Sequence, residues 1–234
     1  MQAVILAGGL GTRLWPLTET IPKPMAPVAG APYLEHQLRL LAKQGIRDAL
    51  LLTGYLGEQI EAYFGGGNRL GLRLDYSREP APLGTGGALR YARAKLQEAF
   101  LVIYGDSYLP MRYADAFEPL QHSDADALMV VYDNSVEDTW VKNNTDVDGD
   151  GYVTRYEKDS PDALPYVEAG VLALRRRVLD LMPADGPVSL EKEIFPKLIG
   201  ARKLIAHVTR QRFYDIGTRD RLQLIEKVLA HDPH

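Results

Sequence analysis

Cysteine is missing altogether, which removes disulfide frameworks and thiolate metal sites and suits a reducing compartment, so the cytoplasm is the expectation. Basic charge is not in excess either. The formal net charge is -4, and apart from Arg175-Arg176-Arg177 the lysines and arginines are scattered, so no nucleic-acid partner is expected. No apolar run approaches the roughly 18 residues a membrane helix requires, and Met1 leads into a strand without a basic leader, so neither a membrane nor a targeting segment is expected. The five histidines show no metal-ligand spacing. What remains, 46% hydrophobic and 25% charged over 234 residues, is the profile of one globular domain spanning 1–234, with homo-oligomerisation left open.

The densest feature lies near the start. An apolar run, Ala3-Val4-Ile5, leads straight into Leu6-Ala7-Gly8-Gly9-Leu10-Gly11-Thr12-Arg13-Leu14, and Ile21-Pro22-Lys23-Pro24 follows shortly after. The glycines therefore fall where a buried strand gives way to a loop. Gly8, Gly9 and Gly11 put no side chain in the way, so successive N–H groups can turn toward an anion. Arg13 and Lys23 add fixed positive charge, and the prolines stiffen the backbone that carries Lys23. A polyphosphate suits such a loop. Two better-known glycine loops do not match. The dinucleotide fingerprint needs a small residue where Leu14 stands, and an acidic residue at the ribose position; the ATPase loop needs Lys-Ser or Lys-Thr where Thr12-Arg13 stand. A plain glycine turn with an incidental arginine accounts less well for Lys23 between two prolines.

Apolar periodicity sets out alternating elements along the chain. Leu34, Leu38 and Leu41 recur at helical spacing up to Gln44-Gly45, 49–53 is a short apolar run, 58–64 is helix-like until Gly65-Gly66-Gly67, and 72–76 returns to strand character. A helix capped by Thr85 is expected to run to about Leu96, followed by a central strand over 100–104 with Gly105-Asp106 at its end. A helix over 114–120 and a strand over 127–132 continue the pattern. This order predicts an α/β, Rossmann-like, doubly wound and mostly parallel sheet, whose ligands bind beyond the carboxyl ends of the strands. Between Thr139 and Tyr156 two strand-like stretches flank an acidic turn, and 167–174 reads as a further strand, which predicts a smaller, partly antiparallel lobe. A helix over 190–199, a strand over 204–208 and a helix through Leu222, Ile225 and Leu229 close the chain.

The first loop does not stand alone. Glu79-Pro80-Ala81-Pro82-Leu83-Gly84-Thr85-Gly86-Gly87, Gly105-Asp106-Ser107, Glu157-Lys158 and Tyr214-Asp215-Ile216-Gly217-Thr218 follow it in order over nearly the whole chain. Together these resemble the signature of the sugar-1-phosphate nucleotidyltransferases, nearest to the mannose-1-phosphate and D-glycero-D-manno-heptose-1-phosphate guanylyltransferases. The resemblance implies transfer of a nucleotidyl group from a nucleoside triphosphate, GTP above all, to a sugar 1-phosphate, with release of pyrophosphate and with Mg²⁺ as cofactor. It implies that Leu6, Ala7, Gly8, Gly9, Gly11, Thr12, Glu79, Gly84 and Thr85 bind the nucleotide. Arg13 and Lys23 would act on the triphosphate and the departing pyrophosphate, and Asp106 and Asp215 on the metal. Lys158 would hold the incoming sugar phosphate, with Glu157, Glu168 and Gly170 around the sugar. Glu168 stands where relatives often carry a small polar residue, which leaves the sugar open. Some relatives append a β-helix domain of hexapeptide repeats; with the sequence closing at His234, the catalytic fold alone is expected.

Other readings share some of these residues. Uridylyl transfer to a sugar phosphate, or cytidylyl transfer to a small phosphorylated alcohol, would use the same first loop, and a nucleotide-sugar sensor would keep the fold without turnover. Retention of Arg13, Lys23, Asp106 and Asp215 argues against the sensor. Asp146, Asp148, Asp150, Gly151 and Glu157 match an EF-hand calcium loop, but 151–156 alternates like a strand where a helix should leave, and Pro161 and Pro165 follow. A hairpin turn is expected there instead. Glu79 bears on the base: a carboxylate only accepts, which suits the adjacent N1–H and N2–H₂ donors of guanine and not the carbonyls of uracil or thymine.

Overall fold

The computed structural model describes residues 1–231. In chain order the elements begin with β1 (Gln2–Ala7), β2 (Pro27–Val28), β3 (Ala31–Pro32), α1 (Tyr33–Lys43), β4 (Asp48–Thr53), α2 (Gly57–Phe64) and β5 (Arg73–Arg78). Next come α3 (Gly84–Tyr91), β6 (Ala99–Tyr104), β7 (Ser107–Tyr108), α4 (Ala114–Gln121), β8 (Ala127–Tyr132), β9 (Thr145–Val147), β10 (Val153–Tyr156) and β11 (Val167–Arg175). A π-helical turn (Leu190–Ile194) leads into α5 (Phe195–Gly200), and β12 (Leu204–Thr209), β13 (Tyr214–Asp215) and α6 (Arg219–His231) complete the described chain. The principal sheet has seven strands in the order β12-β8-β11-β6-β1-β4-β5, mostly parallel. Strand order reverses after β1, since β4 and β5 extend to one side of it and β6 lies on the other.

Two compact units divide the chain. The first comprises 1–82, 103–108 and 214–234, the second 83–102 and 109–213. In the first, β1, β4 and β5 pair in parallel, Gln2 opposite Asp48 and Asp48 opposite Arg73. Their Val, Ile and Leu side chains leave no polar face on β1 and β4, as strands covered on both sides require. α1 buries Tyr33, Leu34, Leu38 and Leu41 at helical spacing, and Gly45 in a left-handed conformation (φ 76°) ends it as the sequence predicts. Glu35 is also buried on this helix. Its carboxylate takes hydrogen bonds from Arg69, Arg39 and Tyr63, tying α1 to α2 and to the turn at 68–70.

In the second unit β8 pairs with β12 in parallel and with β11 antiparallel. β11 was expected in the smaller lobe; it lies instead in the principal sheet, because Val167 to Leu174 is buried throughout and has no polar face to give to solvent. The antiparallel lobe reduces to the β9–β10 hairpin. Pairing there starts only at Thr145, not near Thr139. The residues between make side-chain bonds: Asn134 accepts from the backbone and hydroxyl of Thr139 and donates to Val141 O and Asn143. Asp148 and Asp150 sit in the hairpin turn and both receive Arg202, and β10 rather than a helix leaves the turn. Two helices also differ from expectation. α3 stops at Tyr91, with a separate 3₁₀ turn over Arg93–Lys95. The single helix expected over 190–199 is a π turn followed by α5, because Pro196 has no N–H to give to Lys192 and the backbone takes a wider turn before it.

Burial of Glu35 makes a prediction about acid. The Arg69 hydrogen bond, aided against desolvation by Arg39 and Tyr63, lowers its pKa from 4.5 to about 2. A lowered carboxylate pKa gives stability that is complete above the unfolded value and is lost as pH falls through the folded one. The contribution, at most about 3 kcal/mol, should therefore fade between pH 4.5 and about 2. Urea unfolding followed over that range should show the loss in the wild type, and Glu35→Gln should be less stable at neutral pH with a shallower acid limb.

Candidate active site

The first unit gathers the first glycine loop and both aspartates. β1 ends at Ala7, and Leu14, 1% exposed, anchors the far side of the loop. Gly11 is left-handed (φ 66°), and a Cβ there would stand 2.9 Å from Lys23 Cβ. Thr18 Oγ1 donates to Gly11 O at 2.8 Å, so the turn is pinned from below. Around Gly9 no heavy atom lies within 4 Å of the Cβ position, which leaves the middle of the loop open for a ligand. Glu79, expected to read the base, folds over this loop: its Oε1 is 2.8 Å from where a Cβ on Gly8, and also one on Gly54, would stand. Leu6, Ala7 and Thr12 flank the same loop as expected, Thr12 exposed at the start of a 3₁₀ turn.

Asp106 follows β6 in a turn where backbone meets backbone. Gly105 N donates to Leu6 O at 3.0 Å, and a Cβ on Gly105 would lie 2.4 Å from that oxygen. Lys23 Nζ donates to Asp106 Oδ2 at 2.5 Å. Burial by itself would raise the Asp106 pKa, but the Lys23 ammonium, its hydrogen bond and the Arg13 guanidinium outweigh it and hold the carboxyl below the usual range. β13 pairs antiparallel with β7, setting Asp215 opposite Ser107, and Ile216 N donates to Asp106 O at 3.1 Å. Both aspartates thus hang from adjacent backbones. Asp215 accepts from Gly217 N at 2.6 Å and from Arg221 Nη1 at 3.0 and 3.2 Å. Arg13 Nη1 lies 3.7 Å from the Cβ position of Gly217, in the same neighbourhood.

Two residues here were not foreseen. Gln37, 1% exposed on α1, donates from Nε2 to Tyr104 O and Ser107 O, bracketing the Asp106 turn. Its signal was a glutamine on the apolar stripe of a helix, where a polar side chain needs a buried partner. Arg221 stands four residues past Gly217, with nothing in its spacing to mark it. Among the described residues no three His, Cys, Asp or Glu side chains converge on a metal position. Asp106 and Asp215 offer carboxylate oxygens, the donor type a hard cation such as Mg²⁺ takes together with phosphate and water.

The second unit carries the other predicted residues. Gly84 is left-handed (φ 73°), with its Cβ position 2.6 Å from Val188 O, and the N–H groups of Gly86 and Gly87 both donate to that oxygen. Thr85 does not cap α3. Leu83 precedes the helix without any side-chain cap, and the Thr85 hydroxyl instead donates to Glu191 Oε2 (2.8 Å) and accepts from Leu190 N (2.9 Å). The physical reason is that the loop is built against 188–191, which takes the hydroxyl before the helix can.

Glu157 follows β10 and is bound by Arg155 at 2.6 Å. Lys158, 57% exposed, lies 3.8 Å from Glu191 Oε1. Glu168 is buried and accepts from Tyr156 OH at 2.9 Å, while its N–H donates to Asn144. Burial, with the carboxylates of Glu168 and Glu191 behind it, raises the Tyr156 pKa, so the phenol stays a donor. Gly170 (φ 74°) sits where the β11–β8 register shifts between Glu168 and Leu172, a bulge that glycine alone accommodates easily. Glu191 is the residue that sequence reasoning missed in this unit. Burial would raise its pKa, and Lys158 with the hydroxyls of Ser189 and Thr85 lowers it instead, so it is anionic.

With this geometry in place, comparison with known proteins is direct. Residues 2–230 match the nucleotidyl transferase family, and the chain belongs to it. It is 35% identical over 222 residues to the mannose-1-phosphate guanylyltransferase of Mycobacterium tuberculosis, covering 93% of this chain but 61% of that protein. It is 31% identical over 233 residues to the D-glycero-alpha-D-manno-heptose 1-phosphate guanylyltransferase of Aneurinibacillus thermoaerophilus, with 99% of both chains covered. Among solved structures, HddC from Yersinia pseudotuberculosis complexed with GMP-PN superposes with a TM-score of 0.83 at 28% identity, covering 97% of this chain and 99% of that one. No helix of the described residues is long and apolar enough to cross a membrane.

Steric closure at Gly105 predicts a contrast between two glycines. Gly105→Ala forces backbone apart and should lower the unfolding free energy by about 1–3 kcal/mol, while Gly9→Ala, with open space around it, should change it little. Denaturant titrations of both purified variants test this.

Proposed function

We propose that this chain is a Mg²⁺-dependent sugar-1-phosphate guanylyltransferase of the cytoplasm, converting GTP and a sugar 1-phosphate into a GDP-sugar and pyrophosphate. The observation that carries the reading is the Lys23–Asp106 ion pair, set at the end of β6 and against the glycine loop that follows β1. Likeness to the mannose and heptose guanylyltransferases supports the choice of base and of substrate class.

In this reaction an oxygen of the sugar 1-phosphate forms a bond to the α-phosphorus of GTP, and the bond from that phosphorus to the bridging oxygen breaks, the electron pair leaving with pyrophosphate. The attacking oxygen is already anionic, so no protein nucleophile or base is required. What must be overcome is repulsion between phosphates, and fixed positive charge does this best. In the proposal the N–H groups of Gly8, Gly9 and Gly11 receive phosphate oxygens. Arg13 and Lys23 neutralise charge on the departing pyrophosphate. Asp106 and Asp215 would hold Mg²⁺, which when bound polarises the phosphoryl oxygens. Gln37 keeps the Asp106 turn in shape, and Arg221 orients Asp215 from its own side. On the acceptor, Lys158 takes the sugar phosphate, with Glu157 and Glu168 as acceptors for sugar hydroxyls. Glu79, held over Gly8, takes the N1–H and N2–H₂ of guanine.

Two measurements test the assignment. Asp106→Asn and Asp215→Asn should each lower turnover by at least roughly a hundredfold with circular dichroism unchanged, and near-normal turnover in either would refute its metal role. Pyrophosphate release measured across four nucleotides and several sugar phosphates should be fastest with GTP. Glu79→Gln should then reduce the ratio of GTP to UTP efficiency by about ten- to a hundredfold, the worth of one charged hydrogen bond. A wild type that already prefers UTP, dTTP or CTP overturns the base assignment.

A further inference from the structure

We propose that Glu191 is a positioning residue for the sugar phosphate: it fixes the ammonium of Lys158 and couples it to Thr85 of the glycine loop at 84–87. This rests on the reading of Lys158 as the sugar-phosphate cation. The carboxylate of Glu191 is 10% exposed. Its Oε2 takes two hydroxyl donors, Thr85 Oγ1 and Ser189 Oγ, each at 2.8 Å. The other oxygen, Oε1, faces Lys158 Nζ at 3.8 Å. Two short bonds therefore hold the carboxylate on one side, and its charge is turned toward the lysine on the other.

The separation is informative. At 3.8 Å the pair attracts without forming a tight hydrogen bond, so the ammonium is steered while its donors stay available to an anion. A lysine has a long stem whose ordering costs rotamer entropy, and a fixed countercharge beneath it meets part of that cost before substrate arrives. Two neighbouring acids are engaged elsewhere. Glu157 is bound by Arg155, and Glu168 accepts from Tyr156. The backbone around Glu191 points the same way. It lies in the π turn 190–194, a wide and uncommon geometry often found at functional sites, and Leu190 N donates to the same Thr85 hydroxyl.

Glu191→Gln is the discriminating change. The amide keeps the size of the side chain and an acceptor for Thr85 and Ser189, but it removes the charge that Lys158 feels. Steady-state kinetics with GTP and the preferred sugar 1-phosphate should show KM for the sugar phosphate raised about three- to tenfold, with KM for GTP and kcat within twofold. Lys158→Met should raise the same KM further, and adding Glu191→Gln to Lys158→Met should then add nothing. Ser189→Ala, which removes one hydroxyl from Glu191, should move the KM ratio in the same direction by less, and it serves if Glu191→Gln does not fold. If Lys158→Met leaves the sugar-phosphate KM unchanged, the reading of Lys158 itself fails. If Lys158→Met raises it but Glu191→Gln raises both KM values alike, or acts equally in the two backgrounds, Glu191 is only structural and the inference is overturned. With Ser189→Ala alone to judge by, an unmoved KM ratio overturns it too.

Discussion

Two strand ends that touch through bare backbone govern the first unit. Gly105 N–H meets the carbonyl of Leu6, and the 2.4 Å left for a Cβ excludes any side chain there. From that contact the loop after β1 and the turn after β6 acquire a fixed separation. Lys23, stiffened by its prolines and packed on Gly11, then needs no rearrangement to reach Asp106. The ion pair is thus held from both ends by backbone, and Gln37 below it prevents the turn from relaxing. The backbone that carries these charges is thus fixed in advance, which is what electrostatic stabilisation of phosphoryl transfer would draw on.

The second unit repeats the device with different parts. Val188 O receives the N–H groups of Gly86 and Gly87 and leaves no room for a Cβ on Gly84. Again glycines permit a backbone to approach a carbonyl, and again a polar side chain close by, here Thr85, is committed to the fold. The two units differ in how they treat charge. Around Asp106 a carboxylate is matched by cations, whereas the charges that act on Tyr156 are the carboxylates of Glu168 and Glu191.

Much of this was legible in the sequence, and the reasons are local. Parallel strands announce themselves as apolar runs, so β1, β4, β6 and β8 were placed within a residue or two. The glycine loop, Lys23 between prolines and Asp106 after a strand could be read because each depends on neighbours in the chain. β11 was assigned to the wrong sheet, since an apolar run shows burial but not which strand will lie beside it. Thr85 looked like a cap because the residue that takes its hydroxyl is Glu191, far along the chain. Arg221 and Glu191 were missed for the same reason, since their roles are defined by groups brought near by folding and no spacing encodes them; Gln37 carried a signal, its place on the apolar stripe of α1, but its partners lie far along the chain.

The pairing of β13 with β7 carries a consequence for synthesis. Lys23 and Asp106 belong to the early part of the sequence, but Asp215 can join Ser107 only after the whole intervening segment 109–213 has been translated. The first unit is likewise discontinuous, with its last segment starting at Tyr214. A nascent chain would therefore hold its first glycine loop and Asp106 early while Asp215 was still unmade. A ribosome that stalls between Asp106 and Asp215 therefore releases a chain with one of the two aspartates and an unpaired β7.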